Sequence, residues 1–238
     1  MPLDPHRRFS VEVARGFFRV ETLLRVRAHF DAVEAAQASA SGNERDAKAQ
    51  ALGTASDAMR FDPVWFDLWR DLPPVSRDRL GPYVWVIFPP QLRHIRTREH
   101  LVPWHQDLAY QRLLGTRAHR QVVTCFVPLE HEPDRVSGLE FADDADGILL
   151  HEAEGAHGAS IPSPGFERIR RFSLNCGDVL LFGDHAPHRT VPGPDGTIDR
   201  RSFEFRLIEP ADAIDGKDYF DIRRGRFIRT DGSERDHP

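Results

Sequence analysis

Twelve histidines in 238 residues are enough to build a metal site, and their neighbours decide which of them can take part. His105-Gln106-Asp107 is an H-x-D triplet, and so is His29-Phe30-Asp31. The second lies in a stretch patterned as a helix, where positions i and i+2 sit about 200° apart around the axis and cannot readily share one ion. On a strand or its end the same spacing points both side chains one way, so His105 and Asp107 can grip a metal together. Further along, Gly177-Asp178 opens the apolar run VLLF, and His188-Arg189-Thr190 follows shortly after. A turn, PGPDG, then leads into RRSFEFRL. This order suits a triad of two histidines and one carboxylate, in which His105, Asp107 and His188 fill one face of an octahedral metal and leave the opposite face open. An arginine suits the far end of a dicarboxylic co-substrate, because its planar fork pairs both carboxylate oxygens, and a serine can add a hydrogen bond. Arg200-x-Ser202 supplies both. Strand alternation puts Arg200, Ser202, Glu204 and Arg206 on one face and Arg201, Phe203 and Phe205 on the other. The first face reads as the pocket side, although an outer sheet face would be polar too, so Arg201 stays a rival. His185, three residues before His188, competes as the distal ligand, and the spacing from Gly177-Asp178 favours His188.

HQDLAY at 105–110, VVTCFVPLEH at 122–131, GDVLLF…HRT at 177–190 and RRSFEFRL at 200–207 resemble the phytanoyl-CoA hydroxylase-like branch of the Fe(II)/2-oxoglutarate-dependent dioxygenases. The resemblance runs from about residue 84 to 208, roughly half the chain. It implies a double-stranded β-helix, or jelly roll, with N-terminal and flanking α-helices. It further implies iron(II) on His105, Asp107 and His188, with Gln106 matching the residue often found between the first two ligands. The implied co-substrates are 2-oxoglutarate, its far carboxylate on Arg200 and Ser202, and O2. The implied reaction hydroxylates a small molecule and yields succinate and carbon dioxide; desaturation, ring closure and epimerisation use the same ligands. Asp107 speaks against a halogenating relative, which has a small residue at that position. The chain departs from the family where GLEFADDADG replaces a Pro-Gly-Ser-His turn. Two alternatives stand beside this reading. A cupin-type metal enzyme without 2-oxoglutarate would not need Arg200-x-Ser202, and a metal-free binding protein would not need three intact ligand positions.

The elements that must position these residues change character along the chain. Residues 9 to about 40 read as helix, with Phe17, Val20, Leu24 and Phe30 at helical spacing. A second helix is expected from Glu44 to about Met59 and a short one from Pro63. After Pro74 come short apolar runs separated by Gly, Pro and Asp, at 83–88, 120–129, 138–142, 147–152, 167–174, 178–182 and 200–208. Many short strands punctuated by turn residues signal a sandwich or barrel, hence a mainly β jelly roll. The expected division is one domain over 1–238: a helical region over 1–80, a jelly-roll core over 81–210, and a polar tail over 211–238 about which the pattern says little. Trp104, Tyr110 and Phe126 flank the motifs, as cavity lining or as core. Arg93, Arg96 and Arg98 read better as the solvent side of an edge strand than as receivers of an acidic substrate.

Composition narrows the function classes. A formal net charge of −5 argues against a nucleic-acid binder. Thirty of the 32 basic residues are arginine, leaving only Lys48 and Lys217, a bias that a GC-rich genome explains. Cys125 and Cys176 sit in apolar runs and read as buried free thiols, as in a reducing cytosol. MPLDPHRRFS lacks the apolar stretch of a secretory signal, and no window reaches eighteen apolar residues. The expectation is a cytoplasmic protein with a small-molecule substrate and no membrane or nucleic-acid partner, its oligomeric state unread.

Overall fold

In the computed structural model the described residues are 10–38, 62–109, 122–145, 147–149, 151–152, 160–162 and 165–235. The expected helix over 44–59 and Tyr110 lie outside them. Strand β1 (Val11–Ala14) is followed by helices α1 (Val20–Ala38), α2 (Val64–Arg70) and α3 (Pro74–Arg79). Then come β2 (Trp85–Ile95), β3 (Val123–Pro128), β4 (Gly138–Ala142), β5 (Ile169–Arg171), β6 (Val179–Gly183), β7 (His188–Val191) and β8 (Arg200–Ile208). The chain closes with β9 (Asp218–Asp221), β10 (Arg226–Ile228) and β11 (Glu234–Arg235). Eight strands form one sheet in the order β1-β6-β3-β8-β2-β9-β10-β11, and β5-β4-β7 form a second. Neighbours pair antiparallel throughout. Two such sheets with their apolar faces turned together make the expected mainly β jelly roll.

Alternation sorts β8 into two faces. Phe203, Phe205 and Leu207 point outward into the larger core, where the helices cover them. Trp65 meets Phe203 at 5.3 Å between ring centroids, and Trp69 meets Phe205 at 6.0 Å. The opposite face looks into the space between the sheets, where Phe126, Leu139, Phe141, Leu180 and Phe182 form a second core. The buried stripe of α1 is Leu23, Val26 and Phe30. Leu24, expected on that stripe, is 39% exposed.

Two expectations are corrected by the hydrogen bonding. Residues 11–14 form a strand, not the start of a helix, because β1 closes the edge of β6 and its valines pack on the inner core. Gly16, at φ +57°, separates that strand from α1. Residues 147–152 form no strand among the described ones; the backbone of Gly147 and Leu149 is bonded instead to the side chain of Gln106. In the tail, about which the sequence pattern says little, β9 pairs with β2 and carries the large sheet three strands further.

The Gly177-Asp178 pair locks the N-terminal segment onto this frame. Asp178, 3% exposed, accepts hydrogen bonds from the Gly16 and Asn175 amides, both at 2.8 Å, and pairs with Arg15. A Cβ on Gly177 would stand 2.8 Å from the Phe18 carbonyl oxygen, so only glycine fits that approach. Asp178→Ala removes the charged acceptor of these two amide hydrogen bonds and the partner of Arg15, and a loss of about 2–4 kcal/mol is expected. For a chain of this size that lowers the melting temperature by roughly 4–16 °C, readable by thermal denaturation.

Candidate metal centre

The H-x-D segment joins the small sheet through one residue. His105 and His188 form an antiparallel bridge, each amide donating to the other's carbonyl at 2.9 Å, and the Thr190 amide reaches the Val102 carbonyl. This lays 102–105 along β7. Asp107 starts a helical turn just beyond the bridge, so the chain bends and the carboxylate swings toward the two imidazoles. Asp107 Oδ1 lies 3.7 Å from His105 Nε2 and 3.9 Å from His188 Nε2. Among the described residues, His105, Asp107 and His188 are the group of His, Cys, Asp or Glu whose ligand atoms converge, all within 4.8 Å of one another. All three are buried.

Hydrogen bonding prepares each donor atom. His105 Nδ1 donates to the Pro103 carbonyl at 2.8 Å, and His188 Nδ1 donates to the Ala186 carbonyl at 2.9 Å. Those bonds fix both tautomers and leave the Nε2 lone pairs facing the shared point. Phe141 stacks on the His188 ring and Phe182 meets it at 4.7 Å, so the ring cannot swing away. Asp107 Oδ2 accepts from Thr124 Oγ1 at 2.6 Å and from Arg206 at 3.4 Å, which leaves Oδ1 as the available oxygen. The donor set fits a hard or borderline divalent cation that keeps open positions.

Burial pushes the His105 imidazole down to about 3, the nearby His188 adding to the effect while Asp107 opposes it. For Asp107, burial alone would raise the carboxyl, but Arg206, His188, His105 and the Thr124 hydroxyl outweigh it and hold the acid below its usual range. His105 is therefore neutral, and competent as a ligand, throughout the physiological range. The linkage has a definite sign. Between about 3 and 6.5 the unfolded chain binds a proton at His105 that the metal-free folded protein does not. Stability of the metal-free protein should accordingly fall as pH drops below about 6.5, by up to roughly 1.4 kcal/mol per pH unit for this group. Melting temperatures at pH 7.5, 6 and 5 read this, and a flat profile would contradict it.

Gln106 is fully buried and its amide is saturated. Its Nε2 donates to the carbonyls of Gly147 at 2.9 Å and His185 at 2.7 Å, while Oε1 accepts from the Leu149 amide at 2.9 Å. The Gln106 amide donates to His151 Nε2 at 2.9 Å. Gln106 thus ties the H-x-D segment to the 147–151 loop and to the approach to β7. His185 is buried against Asp184 at 2.6 Å and does not join the convergent group. His29 pairs with Asp62 on the helical side.

The two arginines of the doublet part company. Arg201 faces α1, paired with Asp31 and near Glu130 and Asp199. Arg200 is fully buried on the inner face, the face whose Arg206 and Thr124 hold Asp107. Its guanidinium lies 4.9 Å from the Phe126 ring centroid, and Nη1 donates to the Ser137 carbonyl at 3.1 Å. Arg200 Nε and Nη2, Ser202 Oγ and Ser137 Oγ are buried without a hydrogen-bond partner. Burial draws the Arg200 guanidinium down to about 9, so it stays charged at neutral pH. A buried cation beside two unanswered hydroxyls fits an anion. The sequence reading did not single out Thr124, Arg206 or His151 as supports. Thr124 and Arg206 sit directly opposite one another on β3 and β8, a register that no local pattern carries.

No family model matches the chain, and no curated protein does. Solved structures do. The non-heme monooxygenase ThoJ, in its apo form, is 15% identical, with 86% of this chain and 75% of that chain covered at a TM-score of 0.60. The epimerase SnoN from nogalamycin biosynthesis, in complex with Fe3+, alpha ketoglutarate and nogalamycin RO, is 12% identical, covering 89% and 82% at 0.56. The non-heme alpha ketoglutarate dependent carbocyclase SnoK is 9% identical, covering 89% and 82% at 0.55. At these identities the likeness is one of fold, and the chain shares the jelly-roll architecture of these enzymes.

Proposed function

We propose that this protein is a mononuclear non-haem iron(II) enzyme that uses 2-oxoglutarate and O2 to oxidise a small molecule, with hydroxylation as the default outcome. The observation that carries the reading is the pairing of two features in the space between the sheets: the convergent His105, Asp107 and His188, and the buried Arg200 with its unanswered donors. His105 Nε2, His188 Nε2 and Asp107 Oδ1 would hold the metal, and Arg200 with Ser202 would take the far carboxylate of 2-oxoglutarate. When bound, iron(II), 2-oxoglutarate and O2 supply the oxidising chemistry, with succinate and carbon dioxide as co-products.

The chain's own residues orient and enclose. Thr124 and Arg206 keep Asp107 ionised and turned toward the imidazoles. Phe126, Phe141 and Phe182 exclude water on the core side of the site. The branch placement, phytanoyl-CoA hydroxylase-like, rests on the ordered motifs. The range of reactions among the structural neighbours, oxygenation, epimerisation and carbocyclisation, leaves the fold open to each of these outcomes.

The test is anaerobic addition of iron(II) and 2-oxoglutarate to the purified protein. A visible metal-to-ligand charge-transfer band supports the reading. Iron binding without a band removes 2-oxoglutarate and favours a cupin-type metal enzyme, and no iron binding by folded protein favours a metal-free binding role.

A further inference from the structure

Arg93 was expected to face solvent, and it does not. It lies in the second half of β2, directly opposite Ser202 of β8. Directly opposed residues in an antiparallel pair share a face, so Arg93 enters the space between the sheets with Ser202. Its neighbour Leu92 is opposite Phe203, and both belong to the core under the helices. The Arg93 side chain is 15% exposed, and its Nε is buried with no hydrogen bond. Glu204, two residues along β8 from Ser202, faces the same way, and its Oε1 stands 3.6 Å from that Nε. The gap is too long for a hydrogen bond and close enough for an ion pair.

Arg200 comes to the level of Glu204 from the other side. Strand β8 runs between β3 and β2, with Arg93 on the β2 side. On the β3 side the residue opposite Glu204 is Phe126, and the Arg200 guanidinium lies over its ring. Glu204 is thus flanked by two guanidinium groups. Its ion pair is with Arg93, and among the described residues Arg200 has none. Other charges nearby are already engaged. Arg171 is exposed and donates to the Pro192 and Val136 carbonyls, and Glu130 pairs with Arg27 and Arg201. Two cations and one carboxylate leave this end of the inter-sheet space with one positive charge in excess, which a single carboxylate balances. Burial lowers the Arg200 pKa, Glu204 raises it again and Arg93 lowers it further, so the three groups feel one another. Without Arg93, Glu204 would neutralise Arg200 and meet an incoming carboxylate with a like charge.

We propose that Arg93 is a positioning residue: it claims Glu204 and so leaves Arg200 free to receive the far carboxylate of the co-substrate. This rests on the 2-oxoglutarate reading above. Iron(II)-loaded protein is titrated without oxygen with 2-oxoglutarate and, separately, with 2-oxobutyrate, which lacks the far carboxylate. The charge-transfer band gives each dissociation constant. Arg93→Met is expected to raise the constant for 2-oxoglutarate by about 10–100-fold and to leave that for 2-oxobutyrate within about twofold. Glu204→Gln added to Arg93→Met removes the carboxylate that Arg93 had held. The double variant is expected to bind 2-oxoglutarate within about threefold of wild type. A direct contact between Arg93 and the co-substrate would give no such rescue. A double variant as weak as Arg93→Met therefore overturns the assignment, as does a loss shared by both acids or no loss at all. Where Arg93→Met does not fold, Glu204→Gln alone carries the test. It leaves both guanidinium groups and is expected to tighten 2-oxoglutarate binding by about 3–10-fold. Unchanged or weaker binding in that variant overturns the assignment. No band with either acid in the iron-bound wild type means that the 2-oxoglutarate reading itself has failed.

Discussion

His188→Ala is expected to abolish tight iron(II) binding, with affinity falling by more than about 100-fold, the upper end of what losing a hydrogen-bond partner behind a ligand costs. The ring it removes supplies one of two imidazole donors and is clamped by Phe141 and Phe182, and among the described residues no other His, Cys, Asp or Glu joins the convergent group to replace it. Equilibrium dialysis with iron(II) measures the loss directly, and the 2-oxoglutarate band should vanish with it. His185→Ala is the matched control. That residue is equally buried, lies three positions earlier and bonds to Asp184, and its removal should leave iron binding in place. Should His185→Ala lose iron while His188→Ala keeps it, the distal ligand has been assigned to the wrong histidine.

The second large effect is expected from Arg200→Met, and it has opposite signs with and without the co-substrate. With iron present, 2-oxoglutarate affinity should fall by about 100-fold, because a bidentate, charge-assisted pair is lost from a dry site. Without co-substrate, the wild-type guanidinium is a cation fully buried with two unanswered nitrogens, a placement that costs on the order of several kcal/mol. Methionine fills similar space without that cost, so the co-substrate-free variant should melt higher than the wild type. Saturating 2-oxoglutarate at about 100 times its dissociation constant should add about 2.7 kcal/mol to the iron-loaded wild type and little to the variant. A variant that melts lower than wild type in the absence of ligand would show that Arg200 is a structural ion and not an anion receptor.

Part of this molecule can be read from single strands. In RRSFEFRLI the alternation gives β8 its full length from Arg200 to Ile208, and DVLLF gives β6 to within one residue at each end. The Pro63 signal likewise gives the short helix α2. Elsewhere the local pattern pointed elsewhere. Residues 11–14 have a continuation compatible with helix, but the free edge of β6 offered a ladder of backbone hydrogen bonds, and pairing won. Pro89 and Pro90 hid the continuity of β2, which accommodates them at the register slip where its pairing to β8 is broken. Residues 147–149 look like a strand and serve as a cap on Gln106, because a buried amide needs partners more than the sheet needs another edge.

The site divides along the same line. The sequence by itself determined the candidate donors, His105, Asp107 and His188, and their order, because residue type and spacing are local properties. It also determined that Arg200 and Arg201 must face opposite ways. Which of them looks inward was decided only in three dimensions, where Phe203 and Phe205 dock against Trp65 and Trp69 and thereby turn Arg200 and Ser202 into the space between the sheets. The inward turn of Arg93 follows from its register against Ser202, and the orientation of Asp107 from a Thr124–Arg206 pair drawn from strands some eighty residues apart. A strand's alternation defines two faces. The packing of whole sheets and helices chooses which one is buried.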